Sequence, residues 1–315
     1  VDTALPLRLR KDDRIVFIGN TLFDRGAQFP YFEALLQLGH PNHNLVIRTL
    51  AWSADEPGLM PRPKNFGNIH QHLTVQKADV IFAAFGFNES FAGTEKLQEF
   101  RQRLTTFIQE MKASAYNGRT APRIVLVSPT ANENVPGVPA ADLNNARIAA
   151  YTRAMAAVAV EQKVGFANVF DATRAAMANP ATALTFNGVH LEDAGYVALG
   201  DALYRATFGT AAPKGNAELH AAIVDKNQHL FRRYRPLDTF YYTGDRNKGF
   251  GEGDFLPVMR NFDLKVANRD QRIWEIARGK SFGDQKVDDS NVPPLPPTVK
   301  APLPVTWLSP GDEFA

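Results

Sequence analysis

The 315-residue sequence has no cysteine, which excludes disulfide bonds, thiolate metal sites and a cysteine nucleophile. It has no apolar run of the ~18–20 residues that a membrane-spanning helix needs, so we expect no membrane span. The net charge is only +2, whereas nucleic-acid binders usually carry a concentrated basic face, so we expect no nucleic-acid partner. What is present is 44% hydrophobic residues, enough for one large domain with or without an appendage.

The first two thirds of the sequence alternates between strand-like and helix-like patterns. Short apolar runs predict five strands, at 14–19, 45–50, 79–85, 123–128 and 165–170. Amphipathic or alanine-rich stretches predict helices between and after them, at 27–38, 93–112, 142–162 and 192–207. Apolar strands separated by helices indicate a parallel sheet covered on both faces, a three-layer α/β/α fold. Ligands bind such sheets beyond the carboxyl ends of the strands, where this sequence places several polar residues.

The last hundred residues predict a different organisation. Helical patterns run over 217–236 and 254–279, and the sequence is rich in proline from Asp288 onwards. Proline favours extended geometry and cannot continue a helix or a central strand. We therefore predict three parts: a domain at 1–212, a mostly helical extension packed on it at 213–287, and a Pro-rich tail or linker at 288–315.

Four polar segments follow one another at the predicted carboxyl ends of strands and before the last helix of the α/β region. They are Gly19-Asn20-Thr21-Leu22, Ser53-Ala54-Asp55, Gly86-Phe87-Asn88-Glu89 and Asn187-Gly188-Val189-His190. In order and spacing, these segments resemble the conserved blocks of the SGNH/GDSL hydrolases, a superfamily of esterases. The resemblance covers about 190 residues and implies a flavodoxin-like fold with a parallel five-stranded sheet.

The resemblance also implies roles for individual residues. In this family a serine attacks an ester carbonyl, a histidine removes its proton, and an aspartate three residues earlier orients the imidazole. By position, Thr21 stands for the nucleophile, His190 for the base and Asn187 for the orienting acid. Thr21, Ala54 and Asn88 stand where the family holds the oxyanion. We expect neither a metal nor a cofactor.

Two of these positions depart from the family, so the triad looks degraded. The extra methyl group of Thr21 makes the alcohol bulkier and restricts χ1. Asn187 cannot stabilise an imidazolium by charge and can favour the wrong tautomer, an exchange that costs chymotrypsin ~10⁴ in turnover. Ala54 replaces a glycine, which matters only if the backbone there needs a positive φ. Asp24, Glu89 and Asp193 are the carboxylates nearest in sequence, and we interpret each as a surface or capping group.

Three hypotheses of function follow from this pattern. The first is a degenerate domain with an inactive or weakly active site that binds a ligand or scaffolds a partner. The second is a carbohydrate O-deacetylase, or esterase, that uses Thr21 and His190 on an acylated carbohydrate. The third is a purely structural subunit whose Pro-rich tail docks on a neighbour.

The extension contains arginines interleaved with aromatic residues. Arg232, Arg233, Tyr234 and Arg235 can either bind an anion or glycan or fix the extension onto the α/β domain. The segment from Lys226 to Pro236 resembles large secreted proteins of planctomycetes and verrucomicrobia, in which an SGNH-like domain is joined to a propeller domain and a c-type haem module. That resemblance implies a propeller or cytochrome subunit as a candidate protein partner. The start at Val1 is also what signal-peptide removal leaves, and we expect a periplasmic or secreted protein.

Overall fold

The central element of the fold is a single parallel sheet. The computed structural model describes residues 1–63, 66–179, 181–235 and 256–295. The five strands lie in the order β2-β1-β3-β4-β5. They are β1 (Arg14–Gly19), β2 (Val46–Thr49), β3 (Val80–Ala84), β4 (Arg123–Val127) and β5 (Gly165–Ala167). The strand order reverses between β1 and β3, which is where a ligand site is expected in a sheet of this topology.

Helices precede, separate and follow the strands. Within the described ranges they are α1 (Thr21–Gly26), α2 (Tyr31–Gly39), α3 (Ile69–Gln76), α4 (Phe87–Ser90), α5 (Leu97–Lys112), α6 (Ala141–Gln162), α7 (Phe170–Met177), α8 (Asp193–Phe208), α9 (Ala217–Tyr234) and α10 (Leu256–Ala277). No helix in these ranges is both long enough and apolar enough to cross a bilayer.

Both faces of the sheet are buried, because successive strand side chains point to opposite sides. On one face, Val16 and Ile81 pack in a core with residues of α5 and α6. On the other face, Ile15 and Phe82 pack with residues of α2 and α8. The predicted three-layer α/β/α fold with a parallel five-stranded sheet is therefore confirmed.

The structure corrects two boundaries that matter for the site. A single helix was expected at 27–38, but α1 already begins at Thr21, because the Asn20 side chain accepts a hydrogen bond from the Leu22 N–H at 3.1 Å and caps the helix. The fifth strand ends at Ala167 rather than at 170, because the Asn168 side chain accepts from the Phe170 N–H at 3.0 Å, where α7 begins.

The C-terminal extension covers the free edge of strand β2. Side chains of α9 and α10 and the residue after α9 donate hydrogen bonds to backbone carbonyls along this edge. The pairs are Trp274 to Leu45 at 2.8 Å, Lys226 to Ile47 at 3.0 Å, Tyr234 to Leu50 at 3.3 Å and Arg235 to Ala51 at 2.6 Å. Two of these carbonyls also accept hydrogen bonds within the α/β domain, Leu45 from Gln37 at 3.0 Å and Ile47 from Arg48 at 2.9 Å.

Two buried ion pairs lie beneath the extension. Lys226 of α9 binds Glu33 of α2, and the Lys226 side chain is fully buried. Arg48 of β2 binds Asp270 of α10 through two hydrogen bonds, one of them 3.0 Å long. Burial lowers the pKa of Lys226 and raises that of Glu33, and the partner opposes the shift in each case.

The predicted boundaries at 212 and 287 stay predictions. Most of the Pro-rich tail, from residue 296, lies outside the described residues.

Candidate functional site

A cleft of about 330 Å³ opens at the carboxyl ends of β1, β3 and β4. Its polar and charged lining comes from the segments that follow these strands and from the loop before α8. The residues used below are Thr21, Arg25, Asn88 and His190. Much of the remaining lining is apolar, from side chains such as Leu22, Phe87, Phe91 and Val189. The described residues of the extension do not contribute to it.

His190 is held by Asn187 through the Nδ1 atom of its ring. The Asn187 amide nitrogen lies 2.9 Å from this atom, and the amide oxygen lies 3.2 Å from it. The oxygen already accepts the backbone N–H groups of Val189 at 3.1 Å and His190 at 2.9 Å. A flipped amide would point its own N–H groups at two donors, so the orientation is fixed. Nδ1 therefore lies within hydrogen-bond distance of both amide atoms: the nitrogen donates to it when the ring proton is on Nε2, and the oxygen accepts from it when the ring proton is on Nδ1.

The loop that carries His190 is anchored by a buried carboxylate. Glu133 accepts hydrogen bonds from the backbone N–H groups of Leu184 and Thr185 and from the Thr185 hydroxyl, the last at 2.6 Å. The Glu133 N–H donates to the Gly188 carbonyl at 2.8 Å. Because these bonds fix both ends of the turn before His190, the imidazole is presented from a rigid support.

Asn88 lines the cleft, but its amide nitrogen does not reach the surface. This Nδ2 atom is buried and has no hydrogen-bond partner among the described residues. The turn that carries Asn88 is held by Glu89, whose Oε2 atom accepts the Gly86 N–H at 2.8 Å. Burial raises the pKa of Glu89 to about 8, so this carboxyl is largely protonated at neutral pH. A ligand oxygen would reach the Asn88 amide only after a small change of its side-chain torsions.

Thr21 and Arg25 lie one turn apart on α1 and both line the cleft. Across the described part of the chain, the Thr21 hydroxyl makes no hydrogen bond to His190. The Arg25 guanidinium donates to the Leu191 carbonyl at 3.2 Å and lies 5.2 Å from the centre of the Phe186 ring. Partial burial, with the nearby Arg25 charge, lowers the pKa of His190, which keeps the imidazole neutral.

Ala54 lies outside the cleft lining. It is the third residue of a turn closed by the Asp55 N–H and the Trp52 carbonyl at 3.1 Å, and its φ is 65°. This position of a turn ordinarily takes glycine, because a Cβ disfavours the left-handed conformation. The backbone at Ala54 therefore does adopt the positive φ at which replacing a glycine matters. The structure brings Thr21, Asn88 and His190 to one cleft and leaves the exposed Ala54 outside it.

The three carboxylates nearest to the site in sequence, Asp24, Glu89 and Asp193, make hydrogen bonds to groups other than His190. Asp24 accepts from the N–H and hydroxyl of Ser53 and from Arg235. Glu89 bonds the Gly86 N–H, and Asp193 accepts the Tyr31 hydroxyl at 2.8 Å. None of the three makes a hydrogen bond to His190 within the described residues.

Three members of the arginine-aromatic segment contact the protein itself. Tyr234 is buried, Arg235 bonds Asp24 and lies 4.0 Å from the centre of the Trp52 ring, and Arg233 pairs with Asp263 at 2.9 Å. Arg232 is exposed and lines a second cavity of about 430 Å³. A role of these residues in anion or glycan binding stays a prediction. The sequence has further aromatic residues at 239–246, which would extend an anion or glycan site at this segment. They lie outside the described residues.

Comparison with known proteins defines the family. The profile of the GDSL-like lipase/acylhydrolase family matches residues 19–198, more than half of the sequence. The chain therefore belongs to the GDSL-like lipase/acylhydrolase family, as the four sequence blocks predicted. A comparison with curated proteins gives no match.

Solved structures agree with this fold. A catalytic variant of an acetylxylan esterase from Geobacillus stearothermophilus has a TM-score of 0.52 at 19% identity, over 67% of this chain and all of the other. A protein assigned as a GDSL-like lipase from Parabacteroides merdae has a TM-score of 0.50 at 16% identity, over 64% of this chain and 97% of the other.

Sequence reasoning missed Arg25 and Glu133. Arg25 carries a sequence signal, since it lies four residues after Thr21 and shares its helix face once α1 is known to begin there. Glu133 carries none, because its partners are backbone groups about fifty residues away.

Proposed function

We propose that this protein is a non-hydrolysing member of its family that binds a ligand in the inherited cleft. The observation that carries the proposal is that an amide, Asn187, contacts Nδ1 of His190 where the family has a carboxylate, with its nitrogen the nearer atom at 2.9 Å. An amide cannot stabilise an imidazolium by charge, and in the tautomer to which its nitrogen donates, Nε2 carries the ring proton and cannot accept the Thr21 proton. A base that cannot take a proton cannot activate the hydroxyl.

The rest of the cleft supports binding rather than a purely structural role. It is open, with a volume of about 330 Å³, and the described residues of the extension leave it unfilled. Arg25 lines the cleft, where no carboxylate among the described residues balances its charge, and apolar side chains such as Phe87 and Phe91 form much of the remaining wall.

The test is ester hydrolysis with a matched variant. Release of p-nitrophenol from p-nitrophenyl acetate, and of acetate from acetylated xylooligosaccharides, is measured for the wild type and for His190→Ala. We expect the two proteins to give the same background rate. Turnover that disappears in His190→Ala would contradict the proposal.

That contrary outcome would favour a carbohydrate O-deacetylase. Two observations support this second candidate. Thr21, Asn88 and His190 share one open cleft, and a solved structure of similar fold is an acetylxylan esterase. Its mechanism would require the tautomer in which Nδ1 donates to the Asn187 amide oxygen, 3.2 Å away, so that Nε2 is free to act as the base. This oxygen already accepts two backbone N–H groups, and it carries no full charge to stabilise an imidazolium.

A further inference from the structure

The cleft has an unusual balance of polar groups. Arg25 supplies a positive charge, and His190, Ser128 and Thr130 add groups that can donate a hydrogen bond. No carboxylate side chain among the described residues lines the cleft. A site with several donors, one fixed cation and no anion matches a ligand that brings its own negative charge.

Among the described residues, Arg25 takes part in no structural ion pair, so its charge is available to bind a ligand anion. Within the described chain it has no carboxylate partner, and its Nε atom is buried without a hydrogen bond. One contact to the Leu191 carbonyl and the Phe186 ring fix the guanidinium beside the histidine. The Phe186 ring also stacks on the His190 ring, with 5.6 Å between centres, so the cation and the imidazole both contact one aromatic side chain.

The rest of the cleft is built for an apolar group. Phe87 and Phe91 form an edge-to-face pair, 5.5 Å between ring centres, and Leu22 and Val189 complete the apolar lining. Phe91 remains 53% exposed, which leaves an aromatic face free for contact. A volume of about 330 Å³ equals roughly ten water molecules at about 30 Å³ each, far more than an acetyl group fills.

We propose that the cleft binds a carboxylic acid with an apolar, ring-sized body, its carboxylate at Arg25 and His190 and its body against Phe87 and Phe91. This inference rests on the proposed function, since it concerns a ligand that is held and not hydrolysed. The carboxylate balances the charge of the Arg25 guanidinium, and the body replaces water on the aromatic wall.

The experiment measures equilibrium binding to the full chain by titration calorimetry at neutral pH. The probes are trans-cinnamate, its neutral analogue cinnamamide, which has nearly the same shape, and acetate, which lacks the ring. We expect cinnamate to bind at least tenfold more tightly than either of the other two. Equal affinity for cinnamate and cinnamamide would overturn the anion site, and equal affinity for acetate would overturn the apolar body. No binding of cinnamate at millimolar concentration would overturn the whole inference.

Variants locate the anion. In Arg25→Gln the preference for cinnamate over cinnamamide should fall at least tenfold, whereas Arg25→Lys, which keeps the charge, should retain part of it. Arg101→Gln is the matched control, because Arg101 lies in an exposed pair with Glu161 away from the cleft. An unchanged preference in Arg25→Gln would overturn the assignment. Hydrolysis that depends on His190 would contradict the proposed function alone, since these titrations contain no ester.

Discussion

The cleft and the interface beneath the C-terminal extension both contain charged groups, but they pair them differently. At the interface, the buried charges have partners, as in Lys226 with Glu33 and Arg48 with Asp270. In the cleft, Arg25 contacts the Leu191 carbonyl, and no carboxylate among the described residues lines the site. Unpaired neutral atoms do not make this difference, because Asn88 in the cleft and Asn227 of α9 each have one in the described residues. The comparison separates charges that hold the fold from a charge that the described residues leave without a counterion.

The largest effect is expected from restoring the family residues in the cleft. In Thr21→Ser/Asn187→Asp, the carboxylate accepts the Nδ1 proton and leaves Nε2 free to act as a base. We expect ester turnover to rise on the order of 10⁴-fold above Thr21→Ser alone, measured with p-nitrophenyl acetate. Adding His190→Ala should remove the gain. If the double variant hydrolyses the ester no faster than the background rate, the tautomer of His190 is not the reason that the site is inactive.

The interface should respond in stability rather than in activity. Lys226→Met leaves Glu33 buried without its partner and should lower the free energy of unfolding by about 3–5 kcal/mol in urea denaturation. Lys226→Met/Glu33→Leu should recover most of this loss, because both charges are then gone. Arg101→Met, in an exposed pair, should cost no more than about 1 kcal/mol. Equal losses of unfolding free energy for Lys226→Met and Arg101→Met would contradict the distinction between buried and exposed ion pairs.

Glu89 lies between these extremes, since one of its oxygens is bonded and the other is not. Its pKa of about 8 in the fold exceeds the value of about 4.3 in an unfolded chain. Between these values the native state keeps a proton that the unfolded state has lost, so stability falls as pH rises from about 4.3 to about 8. The fall should be about 2–4 kcal/mol.

The measurement is urea denaturation at pH 5 and pH 8, with Glu89→Gln as the test variant. Glutamine keeps an acceptor for the Gly86 N–H but cannot ionise, so its stability should change less with pH. Glu161→Gln, at an exposed position, should behave as the wild type does. If the stability of Glu89→Gln changes with pH as much as that of the wild type, groups other than Glu89 cause the pH dependence.

A smaller effect should tell the two arginines next to Tyr234 apart. Arg235→Ala removes the bonds to Asp24 and the Ala51 carbonyl and the stacking on Trp52, and should cost about 2 kcal/mol. Arg233→Ala removes one exposed pair and should cost about 0.5 kcal/mol. Thermal or urea denaturation of the two variants checks this order, and equal costs would contradict the attachment role of Arg235.

The smallest effect concerns the left-handed residue next to the cleft. Ala54→Gly relieves a conformation that costs an L-residue about 1–2 kcal/mol, partly offset by the greater freedom of glycine in the unfolded chain. We expect a gain of about 0.5 kcal/mol in unfolding free energy. Ala113→Gly, at an exposed position with φ −77°, should instead destabilise the protein. A loss of stability in Ala54→Gly would show that the turn is not strained.

The sequence predicts the sheet well because its strands are buried on both faces and therefore read as continuous apolar runs. It also predicts the cleft residues Thr21, Asn88 and His190, since each follows a strand or precedes a helix in the family's order. It cannot predict the orientation of the Asn187 amide, which depends on the backbone N–H groups of Val189 and His190. Nor can it predict the pairing of Arg48 with Asp270, since 222 residues separate them.

The bonds from the extension to the edge of β2 have a consequence for the protein in solution. If the chain were cut after the α/β domain, the carbonyls of Leu50 and Ala51 would lose their donors from the extension, whereas Leu45 and Ile47 would keep Gln37 and Arg48. An uncovered strand edge is a template for pairing with another chain. The extension therefore covers this edge, and a truncated domain should associate with itself more readily than the full chain.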